Sequence, residues 1–96
     1  MVKRRGHRVE LNEIEAGLYR HDGIKEVAVI AAPHEDGLRI RAFVAMKDGK
    51  PGGVIAFKRF SAEHLPGAMV PDDFTFLEAL PKTSTDKIDY QRLKDL

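Results

Sequence analysis

IKEVAVIAAPHEDGLRIRAFVAMK, Ile24 to Lys47, decides the fold class. In its first part Val27, Val29 and Ala31 alternate with Ala28, Ile30 and Ala32. Both faces of an extended Ile24–Pro33 segment are therefore apolar, which marks a strand buried on both sides. His34-Glu35-Asp36-Gly37 makes a polar turn. Leu38 to Lys47 then alternates arginine with Leu38, Ile40, Ala42 and Val44, a second strand with one wetter face. Two such strands across a short polar link predict an antiparallel hairpin.

Upstream of the hairpin, Leu11-Asn12-Glu13-Ile14-Glu15 opens a helix. Asn12 suits the N-cap, and Glu13 and Glu15 place negative charge where the helix dipole favours it. Leu11, Ile14 and Leu18, with Tyr19 at the margin, fall at helical spacing and predict the buried stripe. His21-Asp22-Gly23 ends the helix, with Gly23 as a left-handed cap. Further upstream, Val2 to Arg5 and His7 to Glu10 flank Gly6, which permits a tight reversal, so a short β-ribbon is expected.

Downstream, DGKPGG from Asp48 to Gly53 is the strongest breaker in the chain. Val54, Phe57, Phe60, Ala62 and Leu65 then approximate a helical stripe that Pro66-Gly67 stops. Ala68 to Pro71 reads as a short extended link, because the residue before a proline is pushed toward β geometry. Asp73 to Glu78 alternates Phe74 and Phe76 with Thr75 and Leu77, a third strand. LPKTSTDKIDYQRL, Leu80 to Leu93, runs through a Thr-Ser-Thr-Asp turn to Lys87, restarts at Ile88-Asp89 and enters a helix from Tyr90 to Leu96. The order predicts an α+β domain: an N-terminal β-ribbon and a short, three-stranded, mainly antiparallel central sheet packed with helices.

Length and composition narrow the function. Ninety-six residues make one domain at most. Such a chain buries roughly 60–65% of its unfolded surface, enough for one modest core. Sixteen Lys and Arg against fifteen Asp and Glu argue against bulk nucleic-acid binding, which needs an excess of cations. The lack of cysteine removes disulfides and thiolate chemistry and suits the cytoplasm. No apolar run reaches membrane-spanning length. MVKRRGHR is basic without an apolar segment behind it, so it is no secretory signal. The chain opens on these residues without tail or helix cap, as a domain cut from a longer protein would.

Few side chains suggest chemistry on their own. His7, His21, His34 and His64 sit in turns or at element ends without a metal-ligand spacing, so they read as solvated and no metal is assigned. Ser61 and Ser84 lack the surroundings of an activated nucleophile, and no glycine-rich loop leads into Lys-Ser/Thr to cradle phosphate. Lys3-Arg4-Arg5-Gly6-His7-Arg8 is a basic cluster open to several readings: a nucleic-acid arm, a localisation-like patch, a wet ribbon, or a surface for an acidic partner or ligand phosphates. No aromatic interleaves it to stack on bases. Lys87 is either one solvated lysine among many or a positioned ammonium, held in a polar turn as a point charge for a carboxylate or phosphate.

The two ends of the chain, taken together, resemble a known family. VKRRGHRVELNEIE, Val2 to Glu15, is similar to the VKxRGxRVELxEIE motif that follows the interdomain hinge of adenylate-forming ligases. These are the acyl-CoA synthetases, luciferases and adenylation domains of nonribosomal peptide synthetases. LPKTSTDKIDYQRL resembles their closing motif, LPxTxxGKxDxxxL, with its lysine on Lys87. EVAVI before the hairpin and LPGAMVP, Leu65 to Pro71, fit the pattern between them, so the likeness covers essentially the whole chain.

The resemblance implies that residues 1–96 are the small C-terminal lid domain of an acid–thiol ligase, inactive alone. ATP, Mg2+ and the acid would be held by an N-terminal adenylation domain outside this sequence. The ligase would activate a carboxylic or amino acid as acyl-AMP and pass it to a phosphopantetheine thiol, on a carrier protein or coenzyme A. Lys87 would be the catalytic residue of adenylation. After the lid rotates, Arg5, Gly6 and His7 would face the thiol arm, while Lys3, Arg4 and Arg8 would meet coenzyme A phosphates or an acidic carrier. The resemblance gives neither nucleic acid nor membrane a role and implies a cytoplasmic enzyme. Two positions depart from the pattern: Asp86 stands where it has glycine, and Tyr90 where peptide synthetase domains usually have arginine. Asp tolerates a left-handed backbone better than most residues, but its charge opposes an anionic adenylate. The tyrosine spelling is closer to free-standing ligases that load a carrier. A rival reading keeps the fold as a non-catalytic module docking an acidic carrier protein or other partner.

Overall fold

Apolar alternation on both faces makes 24–46 the centre of the molecule. The computed structural model describes residues 2–4, 7–35 and 37–96, with side chains from Val9 onward except that of His34. The ribbon comprises β1 (Val2–Arg4) and β2 (His7–Val9), paired antiparallel. Helix α1 (Leu11–Leu18) follows, then β3 (Ile24–His34) and β4 (Gly37–Met46), the expected antiparallel hairpin, from Ile24↔Met46 to His34↔Gly37. Gly37 takes φ +119 at the hairpin end, a conformation that favours glycine. Helix α2 (Val54–His64), a 3-10 turn (Gly67–Met69), β5 (Asp73–Phe76) and helix α3 (Tyr90–Lys94) complete the chain.

The sheet has order β3-β4-β5 and is mixed. The long β3–β4 ladder is antiparallel, whereas β5 runs parallel to β4, from Arg41↔Asp73 to Val44↔Phe76. A tight turn cannot join parallel neighbours, and α2 lies in the crossover between them. Asp72 aligns the incoming strand: Ile40 N–H donates to Asp72 Oδ2 at 2.8 Å, and Asp72 N–H donates to the Ile40 carbonyl at 2.8 Å.

Both sheet faces are covered, which makes three layers. Val27, Val29, Ile40, Ala42 and Val44 pack under Ile14 and Leu18 of α1 and Phe57 of α2, and Val9 carries the ribbon's end into this core. On the opposite face Ala28, Ile30, Phe43 and Ala45 pack against Leu80 and Leu93, with Ile88 beside them. The expected wetter face of β4 is therefore confined to Arg39 and Arg41; from Phe43 onward the closing segment covers it. Each Val, Leu, Ile or Phe side chain so buried contributes about 1.5–3 kcal/mol, and each alanine less. The closing segment is thus a structural layer of the domain.

Other expectations are corrected. Glu10, not Asn12, occupies the N-cap of α1, and its carbonyl accepts from Glu13 and Ile14 N–H at 3.1 and 3.3 Å. Burial of Val9 and Ile14 fixes where the chain turns in, so the helix starts before Asn12 can cap it. Gly23 is not left-handed, since the described glycines at positive φ are Gly37 and Gly49. A Cβ on Gly23 would come within 2.9 Å of Met46 Cε and 3.1 Å of His21 Cε1, both side-chain atoms, the nearer being the flexible end of a methionine. In α2 the buried positions are Phe57 and Ser61, while Val54 is exposed; Ser61 Oγ donates to the Phe57 carbonyl at 2.7 Å, which satisfies its hydroxyl internally. Gly67–Met69 winds into a 3-10 turn where an extended link was expected, although Leu65 and Val70, each before a proline, are extended. His21 is packed as well as solvated: its ring stacks on Phe57 at 4.6 Å and its Nδ1 accepts from Gly23 N–H at 3.0 Å.

Candidate functional site

The closing motif folds into a small closed turn that carries Lys87 at its end. Lys82 and Ile88 form an antiparallel bridge across its base. Thr83 N–H donates to the Lys87 carbonyl at 2.7 Å, Asp86 N–H donates to the Thr83 carbonyl at 3.0 Å, and Asp89 N–H donates to the Pro81 carbonyl at 2.9 Å. Thr83 Oγ1 accepts from Lys87 N–H at 3.3 Å and lies 3.0 Å from Thr85 Oγ1. Threonine at 83 therefore serves the turn with both backbone and side chain.

Asp86 adopts φ +63, the left-handed conformation for which the family pattern has glycine. Asp is among the few residues that enter this region without severe strain, so the turn survives the substitution. Its charge acts on the Lys82 ammonium at the base of the turn. Lys82 Nζ lies 2.6 Å from Glu26 Oε2 on β3. That hydrogen bond is the main cause holding the Lys82 ammonium above its ordinary 10.5, with the charges of Glu26 and Asp86 adding to it and desolvation opposing it.

Beyond Lys87 the chain is fixed again. Asp89 caps α3, its Oδ1 accepting from Arg92 N–H at 3.1 Å. Leu80 before the turn and Leu93 after it are both buried against the sheet. Tyr90 Oη donates to Glu15 Oε2 at 2.7 Å, and the same oxygen accepts from Val29 N–H at 2.8 Å. Burial, and then the neighbouring Glu15 carboxylate, hold the Tyr90 hydroxyl well above the ordinary phenol range. Lys87 itself is exposed, and its ammonium makes no hydrogen bond or ion pair among the described residues. A free, compact cation on a backbone-locked turn can meet an anion presented from outside the domain.

The other expected site residues are placed less fully. Lys3, Arg4, His7 and Arg8 contribute backbone to the ribbon, but their side chains lie outside the described residues, as do Arg5 and Gly6 entirely. Among the described residues no group of three or more His, Cys, Asp or Glu could hold a metal, and no helix is long and apolar enough to cross a membrane. A cleft of about 570 Å³ between Arg39, Lys58 and Asp73 shares no lining residue with the Lys87 turn. Glu15, Glu26, Lys82 and Thr83 were not singled out from the sequence as site residues. Tyr90 departs from the peptide synthetase spelling, but nothing in the sequence pointed to its contact with Glu15.

Comparison with known proteins bears on this geometry. Residues 13–87 match the sequence model of the AMP-binding enzyme C-terminal domain. The chain is 40% identical over 94 residues to an L-proline–[L-prolyl-carrier protein] ligase of Streptomyces coelicolor, covering 97% of this chain and 18% of that protein. It is 43% identical over 96 residues to gramicidin S synthase 2 of Brevibacillus brevis, covering 98% of this chain and 2% of that protein. Among solved structures, a four-domain nonribosomal peptide synthetase bound to AMP and glycine superposes with a TM-score of 0.81 at 33% identity, over 95% of this chain and 7% of that one. The chain thus spans less than a fifth of the length of these relatives.

Proposed function

The chain belongs to the AMP-binding enzyme C-terminal domain family, and from that premise we propose that residues 1–96 act as the mobile C-terminal lid of an ATP-dependent acid–thiol ligase. The ligase joins the carboxylate of an acid to the α-phosphate of ATP, forming acyl-AMP and releasing pyrophosphate. A pantetheine thiol then attacks the acyl carbonyl, forming a thioester and releasing AMP. The N-terminal domain of the same ligase holds ATP, Mg2+ and the acid. The prolyl-carrier relative favours a carrier protein over coenzyme A as the thiol donor. The reaction belongs to the cytoplasm, where ATP is available.

The observation that carries the reading is the state of Lys87: an exposed ammonium, uncommitted to any described carboxylate, on a turn tied to the sheet on both sides. Lys87 lies over the carboxylate and α-phosphate in the adenylating arrangement and neutralises the charge that develops between them. A preorganised charge of this kind in a water-poor site is typically worth about 3–4 kcal/mol, or roughly 10²–10³ in rate. In the thiol-transfer arrangement the ribbon replaces it: Arg5, Gly6 and His7 face the thiol arm, while Lys3, Arg4 and Arg8 meet carrier acids or phosphates. The test is acid-dependent pyrophosphate exchange in the full ligase carrying Lys87→Ala. Exchange falls by that factor if Lys87 acts as proposed, and exchange at the wild-type rate removes Lys87 from the reaction.

A further inference from the structure

We propose that the Tyr90–Glu15 hydrogen bond is a latch that positions Lys87, with both residues acting as positioning residues for acyl-adenylate formation. The proposal rests on the reading of Lys87 given above and adds the means by which its turn is aimed.

Glu15 lies in α1 and Tyr90 is the first residue of α3, 75 positions later. One oxygen, Glu15 Oε2, accepts from the Tyr90 hydroxyl at 2.7 Å and from Val29 N–H at 2.8 Å, so a single atom joins α1, the outer edge of β3 and α3. A hydroxyl donating to a carboxylate at this distance makes a strong, charge-assisted bond. The Tyr90 hydroxyl keeps its proton well beyond neutral pH and remains a donor under working conditions.

Helix α3 spans five residues, too short to hold itself. Burial of Leu93 fixes its depth against the sheet, but hydrophobic contact is non-directional and does not by itself set the helix's orientation about that anchor. A hydrogen bond is directional, and this one acts at the end of α3 nearest Lys87. From Tyr90 the constraint passes through Asp89, whose N–H meets the Pro81 carbonyl, and Ile88, which bridges Lys82. On the other strand of the turn, Lys82 is tied to Glu26 of β3. In the chain Lys87 thus lies between two ties that both end on β3, one through Glu15 to Val29 N–H and one through Lys82 to Glu26. Glu15 also belongs to the motif that carries the ribbon, so the latch joins the segments assigned to the two half-reactions.

The test uses the complete ligase with Tyr90→Phe, Glu15→Ala, Glu15→Gln, the Tyr90→Phe/Glu15→Ala double variant and Lys87→Ala side by side. Removing the bond lowers the maximal rate of acyl-adenylate formation about tenfold in Tyr90→Phe. The KM for ATP stays the same, and so does thioester formation from supplied acyl-adenylate. Glu15→Gln, which keeps an acceptor oxygen, loses less than Glu15→Ala. The double variant loses no more than the worse single one, as expected of partners in one interaction. Full adenylation in Tyr90→Phe, equal loss of both half-reactions, or additive losses in the double variant overturns the latch. Lys87→Ala separates the two levels: if it is inactive in adenylation while Tyr90→Phe is normal, the latch alone fails. If Lys87→Ala also adenylates normally, the reading beneath the latch fails with it.

Discussion

Thr83 and Lys87 close the turn on each other: Thr83 N–H donates to the Lys87 carbonyl at 2.7 Å, and Lys87 N–H donates back to Thr83 Oγ1 at 3.3 Å. Valine matches threonine in shape but cannot accept. Thr83→Val should therefore leave the fold intact, cost about 1 kcal/mol and speed amide exchange at Lys87 several-fold. Exchange at the parent rate would show that Oγ1 contributes nothing to the turn.

Asp86 occupies a left-handed conformation that β-branched residues enter only at a cost. Asp86→Val should destabilise the domain by about 1–2 kcal/mol, whereas Asp86→Gly should not. Asp86→Asn keeps the conformational tolerance and removes a negative charge near the proposed adenylate. It should raise the adenylation rate a few-fold, on the order of 1 kcal/mol for a solvated charge. A denaturation midpoint and an exchange rate on the three variants separate the backbone effect from the electrostatic one.

Leu93 is fully buried between α3 and the sheet, while Ile55 on α2 is 77% exposed. Leu93→Ala should cost about 2–5 kcal/mol and release the closing segment. Ile55→Ala should change stability by less than about 0.5 kcal/mol. Urea unfolding followed by circular dichroism measures both, and a mild Leu93→Ala would mean that the closing segment is not a structural layer.

Alkaline pH should loosen the closing segment. Tyr90 and Lys82 both have folded values above their ordinary 10.0 and 10.5. Above these ordinary values the unfolded chain releases protons that the folded chain retains, so stability falls as pH rises. The contribution is complete below pH 10 and is lost as each folded value is passed. Tyr90→Phe should flatten this decline, and in a Tyr19→Phe background the remaining tyrosine should ionise only above the ordinary phenol range. A Tyr90 titration at pH 10 would contradict the Glu15 contact.

The parts legible in the sequence were those written in local periodicity. Val27 to Ile30 declared a strand buried on both faces, and the pairing of Ile24–His34 with Gly37–Met46 follows from it. The direction of β5 was not legible, because Phe74-Thr75-Phe76 alternates identically in either sense and only the crossover through α2 selects parallel. Burial of Ser61 in place of Ala62 depended on how α2 rotates over Phe57. At the site, motif resemblance singled out Lys87, and the tolerance of Asp for a left-handed turn anticipated Asp86. The Glu15–Tyr90 and Glu26–Lys82 contacts were invisible, since each joins distant segments through side chains that look like ordinary surface groups.

The central claim is a lid with two working faces, and crossed half-reaction rates test it most directly. Acyl-adenylate formation and thioester formation from supplied acyl-adenylate would be measured in the complete ligase carrying Lys87→Ala or Gly6→Leu. Lys87→Ala should lose adenylation by roughly 10²–10³ and keep thiol transfer, while Gly6→Leu should do the reverse. Parallel losses of both steps in either variant would contradict the account.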